Sequence, residues 1–139
     1  MKTAFSTREY KTLMELVFMG NWVANAYSTE PLKEYDDLEQ AVFENAEEYG
    51  QGELISGSNP SQKFLDIVLK KIFEYNECLF WEELADRLAE RDLERQYGEE
   101  LKSISSDELI EKGDELKGKY LEIFSKSGLN VIDVAGNDR

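Results

Sequence analysis

Proline occurs only twice in this chain, at Pro31 and Pro60, and none follows Pro60. A long proline-free stretch in which apolar residues return every three or four positions can be helical almost throughout, because nothing in it removes a backbone donor or forces a break. Most of the nine glycines stand where periodic runs stop. The fold class that follows is all-α: a largely up-and-down bundle of four to five helices, forming one domain over 1–139. With 41% hydrophobic and 12% aromatic residues the chain can fill a core.

Start and stop signals divide the chain into helices over about 6–28, 31–49, 60–75, 77–97 and 106–126, with a tail over 128–139. Ser6 followed by Glu9 is a capping box, in which each side chain satisfies an orphan backbone N–H. From Leu16 to Tyr27 the first helix is apolar almost all round, which places it at the centre of the bundle. Gly20 would let a neighbour approach closely, and Asn21, Asn25 and Ser28 form a polar row, read as a satisfied network or a solvent-facing edge. The second helix opens near Thr29 and Pro31, carries Leu32, Tyr35, Leu38, Val42, Ala46 and Tyr49 at helical spacing, and stops at Gly50. Residues 51–59 read as a loop, after which Asn59 and Pro60 restart a helix.

The stretch 60–97 needs more care. At about 100° per residue from Phe64, the side chains of Val68, Ile72, Tyr75 and Leu79 stay within about 80° of the start, whereas Phe80, Trp81, Leu84 and Leu88 cluster near about 160 to 260°. One straight helix cannot turn both groups toward one core, so a break or kink is expected near Asn76; packing on both sides is the alternative. Ser105 with Glu108 forms a second capping box, opening a last helix with Leu109, Leu116, Tyr120, Ile123 and Phe124 as its core row. Gly113 and Gly118 inside it cost roughly 1 kcal/mol each relative to alanine. After Gly128 the β-prone run 129–134 suggests a short extended tail.

Thirty acids against sixteen bases give a formal charge of -14, which repels phosphate backbones and anionic membranes. Neither nucleic acid nor membrane is expected as a partner. The charge is concentrated: residues 30–53 hold nine acids and one base, Lys33, a net -8. The expectation is a solvated acidic face on the second helix. Lys2, Arg8 and Lys11 ahead of an apolar run imitate a secretion signal, but Glu9, Glu15, Asn21 and Asn25 interrupt the pattern and it reads as a helix.

Histidine is absent and Cys78 is the single cysteine. Histidine-based triads, intramolecular disulfides and zinc sites of several Cys and His ligands are thereby excluded. In the run Cys78, Leu79, Phe80, Trp81 the thiol is expected to be buried and inert, in a reducing, cytoplasmic setting. No cofactor and no metal is expected.

Three constellations remain. Glu44 with Glu47, and Glu83 with Asp86, are i, i+3 carboxylate pairs of the kind that hold Mg²⁺. They resemble the E-x-x-E and E-x-x-D pairs of the all-α nucleotide pyrophosphatases related to MazG, which implies hydrolysis of a nucleoside triphosphate to the monophosphate. An extra amphipathic helix separates the two pairs here, and Glu44 and Asp86 each lie roughly 200° from the core positions Val42 and Leu84. Arg87, Arg91 and Arg95 form a second row, flanked by Glu83 and Glu99, able to receive an acidic partner or to answer acids within the bundle. An aromatic surplus, with Phe73, Phe80 and Trp81 beside the change of face, can form an exposed interface patch. The preferred reading is an intracellular interaction or regulatory module without evident catalysis, a homodimer or the binder of a protein partner, acting through Phe73, Phe80, Trp81, Arg87, Arg91 and Arg95. Alternatives are the Mg²⁺-dependent hydrolase and an acidic nucleic-acid mimic that occupies a basic partner.

Overall fold

The computed structural model describes residues 4–133 and 135. Its four helices are α1 (Thr7–Asn25), α2 (Lys33–Glu44), α3 (Gln62–Tyr97) and α4 (Ser106–Ser127), and the only sheet among the described residues pairs β1 (Ile55–Ser56) with β2 (Asn59–Pro60). The all-α bundle is the architecture. The chain divides into two compact units, residues 1–74 and 75–139, and α3 contributes to both.

In the first unit, α1 starts at the full capping box: the Glu9 N–H donates to Ser6 Oγ at 3.3 Å and the Ser6 N–H to Glu9 Oε2 at 2.8 Å. Only one face of α1 is covered, because α2 and the start of α3 supply a core for Tyr10 and Met14 while Leu16, Val23 and Tyr27 remain exposed. The first helix is therefore not central, and nothing lies within 4 Å of a Cβ placed on Gly20. Phe64, wholly buried at the start of α3, receives the edges of Phe43 at 5.0 Å and Phe18 at 5.5 Å. Tyr10 stacks on Tyr49 and donates its hydroxyl to the Val42 carbonyl at 2.7 Å.

Residues 45–61 correct two expectations. Helix α2 ends at Glu44, where the Asn45 side chain turns back to the Ala41 carbonyl; a 3₁₀ turn (Ala46–Tyr49) then leads to Gly50, whose φ of 73° is the left-handed conformation that glycine tolerates. The expected loop holds a second 3₁₀ turn (Gly52–Leu54) and the hairpin β1–β2. Asn59 and Pro60 form its second strand, and the hydroxyl of Ser61 accepts the Phe64 N–H at 3.2 Å in their place at the mouth of α3.

Helix α3 runs unbroken through Asn76. The expected break is absent because the two halves of the helix are covered by different partners. Ala85, Ala89 and Leu93 are the buried positions of its second half. Counting only large side chains overlooked the two alanines.

In the second unit α3 and α4 form an antiparallel pair: Trp81 lies against Phe124 at 5.2 Å, Lys117 reaches Glu82 and Asp86, Gly113 faces Leu93, and Lys112 sits over the Tyr97 ring. Ser105 caps α4 by accepting the Glu108 N–H. The chain after α4 forms a 3₁₀ turn (Gly128–Val131) in place of the expected extended run; residues 134 and 136–139 lie outside the described residues. No described helix is long and apolar enough to cross a membrane.

Candidate functional site

Helix formation carries α3 through residues 73–80, and all eight of them are exposed. Four are large and apolar: Phe73, Tyr75, Leu79 and Phe80 expose 57%, 60%, 39% and 48% of their surfaces. Phe73 and Phe80 stand two turns apart on one side of the helix, and Tyr75 and Leu79 one turn apart on another. Trp81 is half-buried; its ring meets Phe80 edge-on at 4.8 Å and its indole N–H donates to Glu77 Oε1 at 2.9 Å. Cys78, expected to be buried, is exposed within the same stretch. Its apolar sequence neighbours do not enclose it: Cys78 lines an open groove with Trp81 and with Leu121, Phe124 and Ser125 of α4.

The arginine row has mostly local partners. Arg87 pairs with Glu83 at 3.6 Å one turn back, and Arg95 lies 4.0 Å from Asp92. Arg91 binds Asp92 at 2.8 Å and donates to the Tyr120 hydroxyl at 3.0 Å, while that hydroxyl donates to Asp92 Oδ2. Tyr120 first, then Arg91, holds the Asp92 carboxyl below its ordinary range. These arginines answer acids on α3 and a tyrosine of α4.

Glu44, Glu83 and Asp86 are each met by a group of their own unit. Among the described residues no group of three or more His, Cys, Asp or Glu could hold an ion. Glu44 accepts from Gln40 at 2.8 Å, Glu83 is taken by Arg87, and Asp86 turns toward Lys117, 3.0 Å away. Glu47 packs its side chain near Gly52. Asp86 does not point away from the packed face as its spacing from Leu84 suggested, because Ala85 and Ala89 set that face. Glu82, then Asp86, holds the Lys117 ammonium well above its ordinary range.

A cluster that sequence reasoning read in two separate pieces lies between α1 and α2. The Asn21 amide donates to both Asp36 Oδ1 at 2.9 Å and Glu39 Oε2 at 2.8 Å. Asn25 donates to Asn21 Oδ1 at 2.8 Å and accepts the Leu32 N–H at 2.8 Å, which fixes both amides. Part of the acidic segment thus bonds to its own helix neighbour. Burial, with the neighbouring Asp36 charge, outweighs the Asn21 hydrogen bond and raises the Glu39 carboxyl above its ordinary range. The signal was present as an asparagine row and an acid row of equal helical period.

Compared with models of protein families, with curated proteins and with solved structures, the chain matches none.

Proposed function

We propose that this chain is a helical interaction module that self-associates through the uncovered turns of α3. The observation that carries the reading is the exposure of every residue from 73 to 80 in a helix that continues through them. Phe, Tyr, Asn and Cys are indifferent helix formers, and most helical stability in proteins comes from packing. A second copy covering Phe73 and Phe80 supplies such packing, and isologous pairing is the commonest way to close an interface. The local pairing of Arg87, Arg91 and Arg95 leaves the aromatic side chains as the principal contact. An unpaired, exposed thiol at Cys78 suits a reducing compartment, and the proposed setting is the cytoplasm.

Light scattering across a concentration series tests this. A concentration-dependent rise to twice the monomer mass is expected, and the double variant Phe73→Glu/Phe80→Glu remains monomeric with its helical circular dichroism retained. A wild-type chain that stays monomeric at every concentration, or an unchanged dimer in the double variant, overturns the proposal.

A further inference from the structure

Around the bond between Asn76 and Glu77 the sequence of α3 is alike in bulk and opposite in charge. Phe73 and Phe80 stand at equal distances on either side of that bond, and so do Lys70 and Glu83, and Asp66 and Arg87. Asp66, Lys70 and Phe73 follow one another at steps of one turn, as do Phe80, Glu83 and Arg87, and such steps keep side chains on one side of an α-helix. All six residues are exposed.

Their present partners leave these charges free to pair elsewhere. Lys70 lies 3.9 Å from Glu74 and Arg87 lies 3.6 Å from Glu83, each an i, i+4 pair in water, and exposed pairs of this kind contribute little. Asp66 accepts from the Gln62 amide at 2.7 Å. Lys71 and Glu82 also stand at equal distances from the central bond, but each is tied within its own unit, Lys71 to Glu15 and Glu82 to Lys117. The charges open to a partner are therefore those in step with Phe73 and Phe80.

We infer that the occupant of the Phe73 and Phe80 surface is a second copy of this chain whose α3 runs antiparallel, with the two-fold axis beside the bond between Asn76 and Glu77. This inference rests on self-association through α3 and adds its direction. A pattern complementary to its own reverse is what an isologous contact requires. In the antiparallel pair Phe73 of each copy meets Phe80 of the other, Lys70 meets Glu83, and Asp66 meets Arg87, each contact occurring twice. Parallel pairing in the same register instead sets Lys70 beside Lys70 and Glu83 beside Glu83, between chains that each carry a formal charge of -14. The rings supply the contact area and the flanking charges decide the direction, as they do in coiled coils.

Sedimentation equilibrium of the full chain and three variants at pH 7 and low ionic strength tests the direction. Lys70→Glu brings acid against Glu83 at both symmetric contacts, and Glu83→Lys brings base against Lys70. Each is expected to raise the dimer dissociation constant about tenfold, a difference of about 1.4 kcal/mol, with helical circular dichroism retained. Lys70→Glu/Glu83→Lys restores opposite charges and is expected to return to within about threefold of wild type. That double variant lacks both local pairs, Lys70 with Glu74 and Glu83 with Arg87, so its recovery has no cause within one chain. A parallel dimer keeps like against like in all four proteins and predicts no change. As a second measurement, spin labels on Gln62→Cys in a Cys78→Ser background should stand about 44 Å apart along the axis of the antiparallel pair at about 1.5 Å per residue, against roughly 10 Å between the axes of a parallel one. Unchanged dimerisation in both single variants, no recovery in the double variant, or a short distance between the labels overturns the antiparallel direction and leaves self-association standing. A wild-type chain that stays monomeric at every concentration overturns both.

Discussion

The two compact units solve the same packing problem with different materials. The first closes large side chains from α1, α2, the 3₁₀ turns and the start of α3 around Phe64, leaving Phe43, Phe64, Met14 and Val68 fully enclosed. The second lays one helix along another: its buried positions are Ala85, Ala89, Leu93 and Phe124, and its rim is tied by Lys117 to Glu82 and Asp86 and by Tyr120 to Asp92. Core volume holds the first, and close helix approach with a charged rim holds the second. Rim ion pairs contribute less than buried rings, so the second unit is expected to open first.

The largest effect should come from Phe64→Ala. Removing a fully buried ring costs about 3–5 kcal/mol, and amide hydrogen exchange should accelerate over α1 and α2. Leu93→Ala in the second unit should cost less, about 2–3 kcal/mol, and loosen α4. If the two variants lowered stability equally and exposed the same amides, the contrast between the units would fail.

A smaller pair of substitutions sharpens the same contrast. Tyr10→Phe strands the buried Val42 carbonyl at a cost of about 1–3 kcal/mol. Tyr120→Phe acts on a half-exposed group and should lower the melting temperature less, while the Asp92 carboxyl, followed by NMR, titrates closer to its ordinary range. An unmoved Asp92 titration would remove Tyr120 as the main cause.

Acid dependence separates the units by sign. The Glu39 carboxyl is raised in the folded chain, so the native state holds its proton more tightly than the unfolded state does. Its contribution to stability falls as pH rises from the unfolded through the folded value, and above both it is unfavourable. Glu39→Gln should therefore be more stable than wild type at pH 7, with the advantage vanishing below the ordinary glutamate range. Asp92 behaves oppositely: its carboxyl is lowered, so its contribution is present above the unfolded value and is lost as pH falls through the folded one. Urea denaturation at pH 7 and pH 3.5 checks the first sign. The smallest effect is Gly118→Ala, which meets nothing within 4 Å and should stabilise α4 by up to about 1 kcal/mol.

Much of this fold was legible in the residues themselves. The capping serines, Ser6 and Ser105, mark the starts of α1 and α4 because their partners are local. The errors arose where long-range packing decides. An all-round apolar run between Leu16 and Tyr27 suggested a central helix, yet nothing in a single sequence says how many neighbours arrive. Small residues also misled: Ala85 and Ala89 carry little weight in an apolar stripe and were the most enclosed positions of their unit. The asparagine row and the acids of α2 were each visible, but their meeting depends on how two helices face one another. The exposed aromatic residues Phe73 and Phe80 were visible as a surplus, whereas the exposure of Cys78 was not.

The native cysteine allows the most direct test of self-association. Cys78 is exposed, and by helical period it lies roughly 140–160° from Phe73 and Phe80, so a nitroxide attached there leaves their side of α3 open. Pulsed electron spin resonance on the labelled chain should show one narrow interspin distance between about 20 and 40 Å, as two helices packed 8–10 Å apart with outward labels require. The signal should vanish in Phe73→Glu/Phe80→Glu. A wild-type chain that gives no dipolar modulation above background at high concentration, or the same distance in the double variant, contradicts the account.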